Sequence, residues 1–438
     1  MNAAEAIREA GVVGSGGAGF PAHIKAQGKA DIVIGNGAEC EPLLKADKLM
    51  MKHYPEKIVR GLKAMMESVG AREGVLCVKG KNKDAIEALQ SVIKNEANVR
   101  LHLLDNYYPA GDEQQIVYEV TGKVVPTGGI PLDVGAVVSN VTTLANISGA
   151  LSGGPVTERF VTVAGEVSHP VTLKVPVGTP IETALKAAGG PDSMDGYTLI
   201  IGGPATGRLS RDISEPVAKT TGGLIVLKTD HPLIRKKADD GVLDLKLAKA
   251  ACSQCNMCTE MCPRNALGLG VEPHKAMRAA FMGKGNLLGD ANGVFSCCDC
   301  GLCSYYACNF GLSPSRMMMR MKQGLSAGGM KPEKKVKGSV SPEFVKVPTY
   351  RLMARMGISQ YDTDTPLEEP DVRFVRLPLK GHIGAPSLPA VKQGDSVVKG
   401  QLVADIPEGK LGARVHASIS GIVTAITDKF IEIKAEKA

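Results

Sequence analysis

The stretch GVVGSGGAGFP, residues 11 to 21, decides how the amino-terminal part of the chain folds. It contains G-x-G-x-x-G at Gly14, Gly16 and Gly19, the spacing of a dinucleotide-binding turn, which requires a strand before the glycines and a helix after them. Here the preceding AEAIREA reads as a short helix, so a standard Rossmann turn is disfavoured. What the glycines permit is close backbone approach and positive φ, letting successive N–H groups surround a phosphate or a flat ring. On the motif alone, a flexible loop without a ligand is the competing reading.

The neighbouring sequence gives the loop a setting. In DIVIGNGAECEP (31 to 42), Asp31 to Ile34 reads as a buried strand, with Asn36, Glu39 and Glu41 in the loop at its end. EGVLCVKG (73 to 80), VRLHLLD (99 to 105) and AVVSNVTTLANI (136 to 147) are also strand-like, and DAIEALQSVIK and EQQIVYEVTG between them have helical periodicity. An alternating α/β domain over residues 1–150 follows, and ligands of such sheets bind in loops at the strand ends.

Nine of the eleven cysteines fall between 252 and 308. In a reducing compartment clustered thiols serve as metal ligands more often than as disulfides. Cys252, Cys255, Cys258 and Cys262, followed by Pro263, have the C-x2-C-x2-C-x3-C-P spacing of bacterial ferredoxins. Zinc also binds C-x2-C pairs, but three closely spaced thiols plus Cys-Pro fit a site of two pairs poorly, so a zinc scaffold is the weaker reading. The second segment, CCDCGLCSYYAC (297 to 308), gives Cys297, Cys300 and Cys303, then Cys308 after four residues instead of three, with Asn309 where proline is usual. Cys298 falls outside the spacing and is read as a partly buried thiol without a ligand role. Because the fourth cysteine of each ferredoxin run ligates the other cluster, Cys252, Cys255, Cys258 and Cys308 are assigned to one [4Fe-4S] cluster, and Cys297, Cys300, Cys303 and Cys262 to the other.

Composition bounds the rest. The chain has 438 residues, enough for two to four domains, with 22% charged and 44% hydrophobic residues as in soluble globular proteins. A net charge of +7 spread along the chain, no Trp and 4% aromatics leave no nucleic-acid footprint. No apolar run suits a signal peptide or a membrane span, so a cytoplasmic protein is expected. Residues 151–230 alternate apolar and polar positions around one helical pattern, IETALKAAGG, and read as a small mixed domain. Residues 240–330 hold the cysteines and a methionine-rich helical stretch, RMMMRMKQG, whose methionines are expected to fill core space. Residues 331–370 read as a basic linker, and 371–438 contain two similar strand-turn units.

With these motifs in hand, the chain resembles a known family. GSGGAGFP, NGAECEP, the Gly-Asp-Glu-Gln-Gln segment at 111 to 115 and NVTTLAN are similar to the flavin domain of the NADH-oxidising 51 kDa subunit of respiratory complex I. They resemble more closely two related families, the RnfC component of the Rnf complex and the cobalamin reductases of propanediol-utilisation microcompartments. The resemblance implies a multidomain α/β and α+β chain: a complex I 51 kDa-like FMN-binding α/β domain, an SLBB β-grasp domain, a ferredoxin-like helical domain with two [4Fe-4S] clusters, and a C-terminal barrel-sandwich hybrid (lipoyl-like) domain. It implies non-covalent FMN with NADH as substrate. Gly14, Gly16, Gly17, Gly19 and Phe20 would form the loop shared by nicotinamide and flavin, and Lys25 would approach the FMN phosphate. Asn36, Glu39 and Glu41 would lie along the flavin, with Asp112, Glu113, Asn140 and Thr143 completing the pocket. Where complex I has Asp-Glu-Ser-Glu-Pro, this chain has Ala38-Glu39-Cys40-Glu41-Pro42. Around Arg414 to Gly421, where a lipoyl-like domain presents its modified lysine, stands His416 and no lysine.

The implied chemistry needs no acid/base catalyst, and no catalytic residue is assigned: flavin takes two electrons as hydride and releases them singly, and each cluster takes one. Two functions stay open. One is an NADH-dependent oxidoreductase lowering cobalamin from cob(III) or cob(II) to cob(I) for a cob(I)alamin adenosyltransferase inside a bacterial microcompartment, beside shell or cargo proteins. The other is an Rnf-type electron-transfer component passing electrons between ferredoxin and NAD. A barrel-sandwich segment placed after the clusters favours the first by analogy.

Overall fold

The computed structural model describes residues 2–238, 241–338 and 340–436. Its first sheet is fully parallel, with β1 (Ile32–Gly37), β2 (Glu73–Lys79), β3 (Val99–Leu104) and β5 (Ala136–Asn140) in the order β3-β2-β1-β5. The short β4 (Tyr107–Tyr108) lies between β3 and β5 in the chain. Parallel strands need helices on both faces, which is why β1 and β2 read as near-continuous apolar runs. The helices Pro55–Val69 and Val141–Ala150 cover one face through Ile58, Leu62, Met65 and Leu144. The chain leaves β1 toward β2 on one side and reaches β5 on the other, so a switch point lies between β1 and β5, where ligands of open α/β sheets bind.

The expected helix before the glycine loop spans Ala3–Glu9 and is capped by Asn2, whose side chain accepts from the Glu5 amide at 2.8 Å. After it the chain forms a bridge between Val13 and Pro21, and the Gly14 amide donates to the Phe20 carbonyl at 2.9 Å. The glycines thus occupy a loop closed at its base ahead of β1, and are not a β1-to-helix turn.

The second sheet is mixed. β6 (Glu158–Gly165), β7 (Val171–Pro176), β8 (Tyr197–Ile201), β9 (Arg208–Ser210) and β10 (Gly223–Lys228) pack on the helix Ile181–Ala187. Two parts of the region read as a linker form strands: β11 (Val347–Pro348) pairs with β4 in a separate two-stranded sheet, and β12 (Leu367–Glu368) extends the second sheet beside β7. The helix Thr349–Met356 between them buries Leu352, Met353 and Met356 against Tyr108 and Ile225. The apolar period of this helix lies within a basic, Pro-punctuated stretch, which hid it from a reading by composition.

The cysteine region is built of short helices around a core of Leu267, Val271, Met277, Met317 and Met318, so the methionine-rich stretch does fill core space. The carboxy-terminal strands form two small sheets, β13-β19-β18-β15 and β14-β16-β17, from β13 (Phe374–Pro378), β14 (Leu388–Pro389), β15 (Ser396–Val397), β16 (Leu402–Asp405), β17 (Val415–His416), β18 (Gly421–Ile426) and β19 (Phe430–Lys434). They sandwich Val375, Leu377, Val403, Val423 and Ile433. This domain packs on the base of the glycine loop: the Ile383 amide donates to the Gly19 carbonyl, and half-buried Lys219 bridges the Gly11 and Arg414 carbonyls at 2.7 and 2.8 Å. No described helix is long and apolar enough to cross a membrane.

Candidate flavin and cluster site

The glycine loop stands at the carboxyl edge of the first sheet. Its crest, Gly16 to Ala18, is exposed, and a Cβ at Gly17 would meet nothing within 4 Å. Its flank is pinned by the Ser15 amide donating to Thr143 Oγ1 at 2.9 Å, and a Cβ on Gly16 would lie 3.0 Å from Asn140 Nδ2. Lys25 is half-buried, its Nζ donating to the Val138 carbonyl at 2.8 Å near the end of β5. Burial lowers its pKa, and the nearby Glu113 carboxylate acts in the opposite sense. The fold therefore gathers Gly14, Gly16, Gly17, Lys25, Glu113, Asn140 and Thr143 around the switch point. Two polar atoms beside this set in the chain, Gln114 Oε1 and Ser139 Oγ, are buried without a partner, which suits an absent polar ligand. An open glycine crest, a half-buried lysine, one unsatisfied buried acceptor and one unsatisfied buried hydroxyl fit a flavin phosphate and ring.

The remaining acids and amide of the motif make joints within the protein. Asn36 donates to the Gly111 carbonyl at 2.9 Å. Glu39 accepts from the amides of Asp47 and Lys48 at 2.8 and 3.1 Å, capping the helix Ala46–His53. Burial first, and the adjacent Asp47 carboxylate second, raise its pKa to about 7. Asp47 in turn accepts from Asn140 Nδ2 and Thr142 Oγ1 at 2.7 and 3.0 Å. Glu41 reaches into the second sheet's domain, where it accepts from the amides of Ala205 and Thr206 and the Thr206 hydroxyl at 3.0, 3.0 and 2.6 Å. Asp112 caps the helix Glu113–Thr121 through the Gln114 amide and accepts two bonds from Arg264, 2.6 Å from Nε and 2.8 Å from Nη2. Phe20 is half-buried at the foot of the loop.

The two cysteine loops share one backbone pattern. Positive φ occurs at Gln254 and Asn256 in the first and at the equivalent Asp299 and Gly301 in the second, aligning Cys252, Cys255 and Cys258 with Cys297, Cys300 and Cys303. Such left-handed residues turn the chain tightly enough to bring thiols from one loop together. The extra residue before Cys308 is taken up by a π-helical turn, Cys303–Ala307, whereas Met257–Glu260 in the first loop is an ordinary α-turn. Cys258 has Cys308, Cys252 and Cys255 as its charged-state neighbours. Cys303 lies near Cys297, Cys262 and Cys258, and Cys300 near Cys298, Cys262 and Cys303. Burial, then mutual repulsion, pushes the Cys258 and Cys297 thiols up to about 12. Thiols so crowded hold their protons unless cations neutralise them, which is the donor set iron requires. Among the described residues no three Cys, His, Asp or Glu side chains close around one point as at a single-ion site.

Sequence reasoning missed three participants. Arg264, two residues after Cys262, is buried and binds both Asp112 and the Ser296 carbonyl. Tyr108 is buried, and its hydroxyl donates to the Cys300 carbonyl at 2.7 Å. Arg159 donates to the Ser15 carbonyl at 3.1 Å and offsets Asp47. Each acts across a domain boundary, so no local pattern marks it.

Comparison with known proteins agrees with the domain series. The Nuo51 FMN-binding domain matches residues 7–149, the SLBB domain 160–207, the 4Fe-4S dicluster domain 251–313 and the RnfC barrel sandwich hybrid domain 360–437. The chain is 42% identical over 437 residues to cobalamin reductase PduS of Citrobacter freundii, covering 98% of this chain and 95% of the relative. It is 41% identical, with the same coverage, to that of Salmonella typhimurium. It is 36% identical over 263 residues to the C component of the Na(+)-translocating ferredoxin:NAD(+) oxidoreductase complex of Acetobacterium woodii, covering 59% of this chain and 56% of that one.

Proposed function

Because this chain belongs to the PduS family, within the superfamily of RnfC and the complex I 51 kDa subunit, we propose that it is an NADH-dependent cobalamin reductase. The family and its domains establish that the chain is an electron-transfer flavoprotein with iron–sulfur centres. In the fuller reading NADH reduces FMN, two [4Fe-4S] clusters carry the electrons onward singly, and cobalamin is lowered to cob(I) for an adenosyltransferase in a microcompartment. The observation that carries it is the 42% identity to a cobalamin reductase along 98% of the chain.

In this reading Gly14, Gly16, Gly17, Gly19, Phe20, Lys25, Glu113, Asn140 and Thr143 hold the flavin and nicotinamide. Asn36, Glu39, Glu41 and Asp112 shape the pocket from behind through the joints described above. Cys252, Cys255, Cys258 and Cys308 hold one cluster, and Cys262, Cys297, Cys300 and Cys303 the other, an allocation that rests on the ferredoxin spacing and is consistent with the nearness of Cys308, Cys252 and Cys255 to Cys258. FMN supplies the change from hydride to single-electron chemistry. The chain's own residues bind it, exclude water and set distances.

A second reading, electron passage between ferredoxin and NAD as one component of a larger assembly, is favoured by the barrel sandwich match and the identity to the Acetobacterium woodii relative. An anaerobic visible titration separates the two. Stepwise NADH should bleach flavin and cluster absorbance, and added cob(II)alamin should restore it as cob(I) forms. Bleaching without cobalamin reduction would sink the reductase reading and leave the second one standing. Zinc with no acid-labile sulfide would sink both.

A further inference from the structure

The flavin domain meets the cysteine region at one buried ion pair. Asp112, on the flavin side, and Arg264, two residues past Cys262, are 4% and 10% exposed in their side chains and share two hydrogen bonds. The third arm of the guanidinium donates to the carbonyl of Ser296, the residue before Cys297, at 3.3 Å. Beside this, the Tyr108 hydroxyl donates to the Cys300 carbonyl. All of these contacts reach the half of the region that holds Cys262, Cys297 and Cys300. The other half lies further out, where Cys255 is exposed.

We propose that the Arg264–Asp112 pair is a positioning device that seats the flavin domain on the Cys262, Cys297, Cys300 and Cys303 half, makes the cluster there the first electron acceptor, and sets its potential. This rests on the proposed binding of flavin and two clusters. NADH leaves as NAD+ after giving hydride to FMN. One electron then passes from reduced flavin to the inner cluster, which gains one negative charge, and moves outward to the second. The second electron then fills the vacated inner cluster, so each cluster holds one, and the flavin proton goes to water.

Reduction adds negative charge beside a buried pair, so the guanidinium favours the reduced cluster and the carboxylate opposes it. While both are present their effects largely cancel. Removing one partner exposes the field of the other in a medium where charges interact strongly.

The test is an anaerobic redox titration of the full-length holoprotein with dithionite, read by electron paramagnetic resonance, for Arg264→Gln, Asp112→Asn and Arg264→Lys. Dithionite makes the result independent of NADH, and iron, acid-labile sulfide and flavin content are measured first. Absence of sulfide would overturn the proposed function itself. The expected result is that one cluster only moves. Arg264→Gln makes it harder to reduce by about tenfold in the one-electron equilibrium, about 59 mV. Asp112→Asn makes it easier to reduce by a similar factor, and Arg264→Lys stays within about threefold of wild type. On freeze-quenching, the signal that Asp112→Asn moves should rise first. Should Arg264→Gln fail to assemble clusters, Asp112→Asn and Arg264→Lys decide. Shifts of equal sign, equal shifts of both clusters, no shift in cluster-loaded variants, or prior reduction of the unmoved cluster would each overturn the proposal.

Discussion

Glu41 gives the sharpest test of how the flavin loop is held. Its carboxylate takes three hydrogen bonds from Ala205 and Thr206, and burial raises its pKa despite them. Hydrogen bonds to a charged group contribute about 1.5–3 kcal/mol each, but they are not additive, and water entering after a truncation satisfies part of what is lost. Taking about 3 kcal/mol for all three, Glu41→Ala should make local opening of the loop around Ala205 about 100-fold more frequent. Glu41→Gln, which keeps one acceptor, should give about tenfold. Amide hydrogen exchange is the suitable assay, because it reads local opening without assuming that a multidomain protein unfolds in one step. The two amides that Glu41 binds should accelerate while those of β2 do not. If both exchange within about threefold of wild type and the KM for NADH rises instead, the carboxylate acts on the nucleotide and the joint described here is wrong.

Other outcomes follow from the same structure. Glu39 has a folded pKa of about 7 against an ordinary 4.5, so the native state holds that proton more tightly than the unfolded chain; stability is fullest below about pH 4.5 and falls as pH rises through 7, by at most about 3 kcal/mol. Glu39→Gln should flatten that decline in chemical denaturation compared near pH 5 and near pH 8. Gly61→Ala places a Cβ 1.8 Å from the Leu144 carbonyl oxygen, where the two helices cross, and should destabilise the flavin domain by about 2–3 kcal/mol, read as a lower thermal midpoint. Cys298→Ser should retain iron and sulfide for two clusters, whereas Cys297→Ser should lose ligation of one. The reverse result would move the register of the second loop by one residue.

Some of this was legible because it is local. The helix before the glycines is written in AEAIREA, and its presence rejected a Rossmann turn that the formal G-x-G-x-x-G invited. The ferredoxin spacing gave both cysteine loops, and the irregular gap before Cys308 has a concrete cause in the π-turn at Cys303–Ala307. The helix Thr349–Met356 was hidden in a segment read by composition, because its stability comes from burial against Tyr108 and Ile225, far away in sequence. The same holds for Arg264, Tyr108 and Arg159. A single arginine after Cys-Pro has no pattern until its carboxylate partner, 152 residues earlier, is placed beside it.

The motif acids illustrate what this means for the site. By position Glu39, Glu41 and Asp112 belong to a flavin pocket, yet in the fold each carboxylate is turned to a backbone amide or an arginine of another element. A buried carboxylate is costly unless paired, and here the pairing is supplied by the helix Ala46–His53, the second sheet's domain and the cysteine region respectively. The three acids therefore fix three neighbours relative to two loops of the first domain, the one after β1 and the one before the helix Glu113–Thr121. For single-electron transfer, where the protein contributes placement rather than acid/base chemistry, that is the task such a loop has to perform.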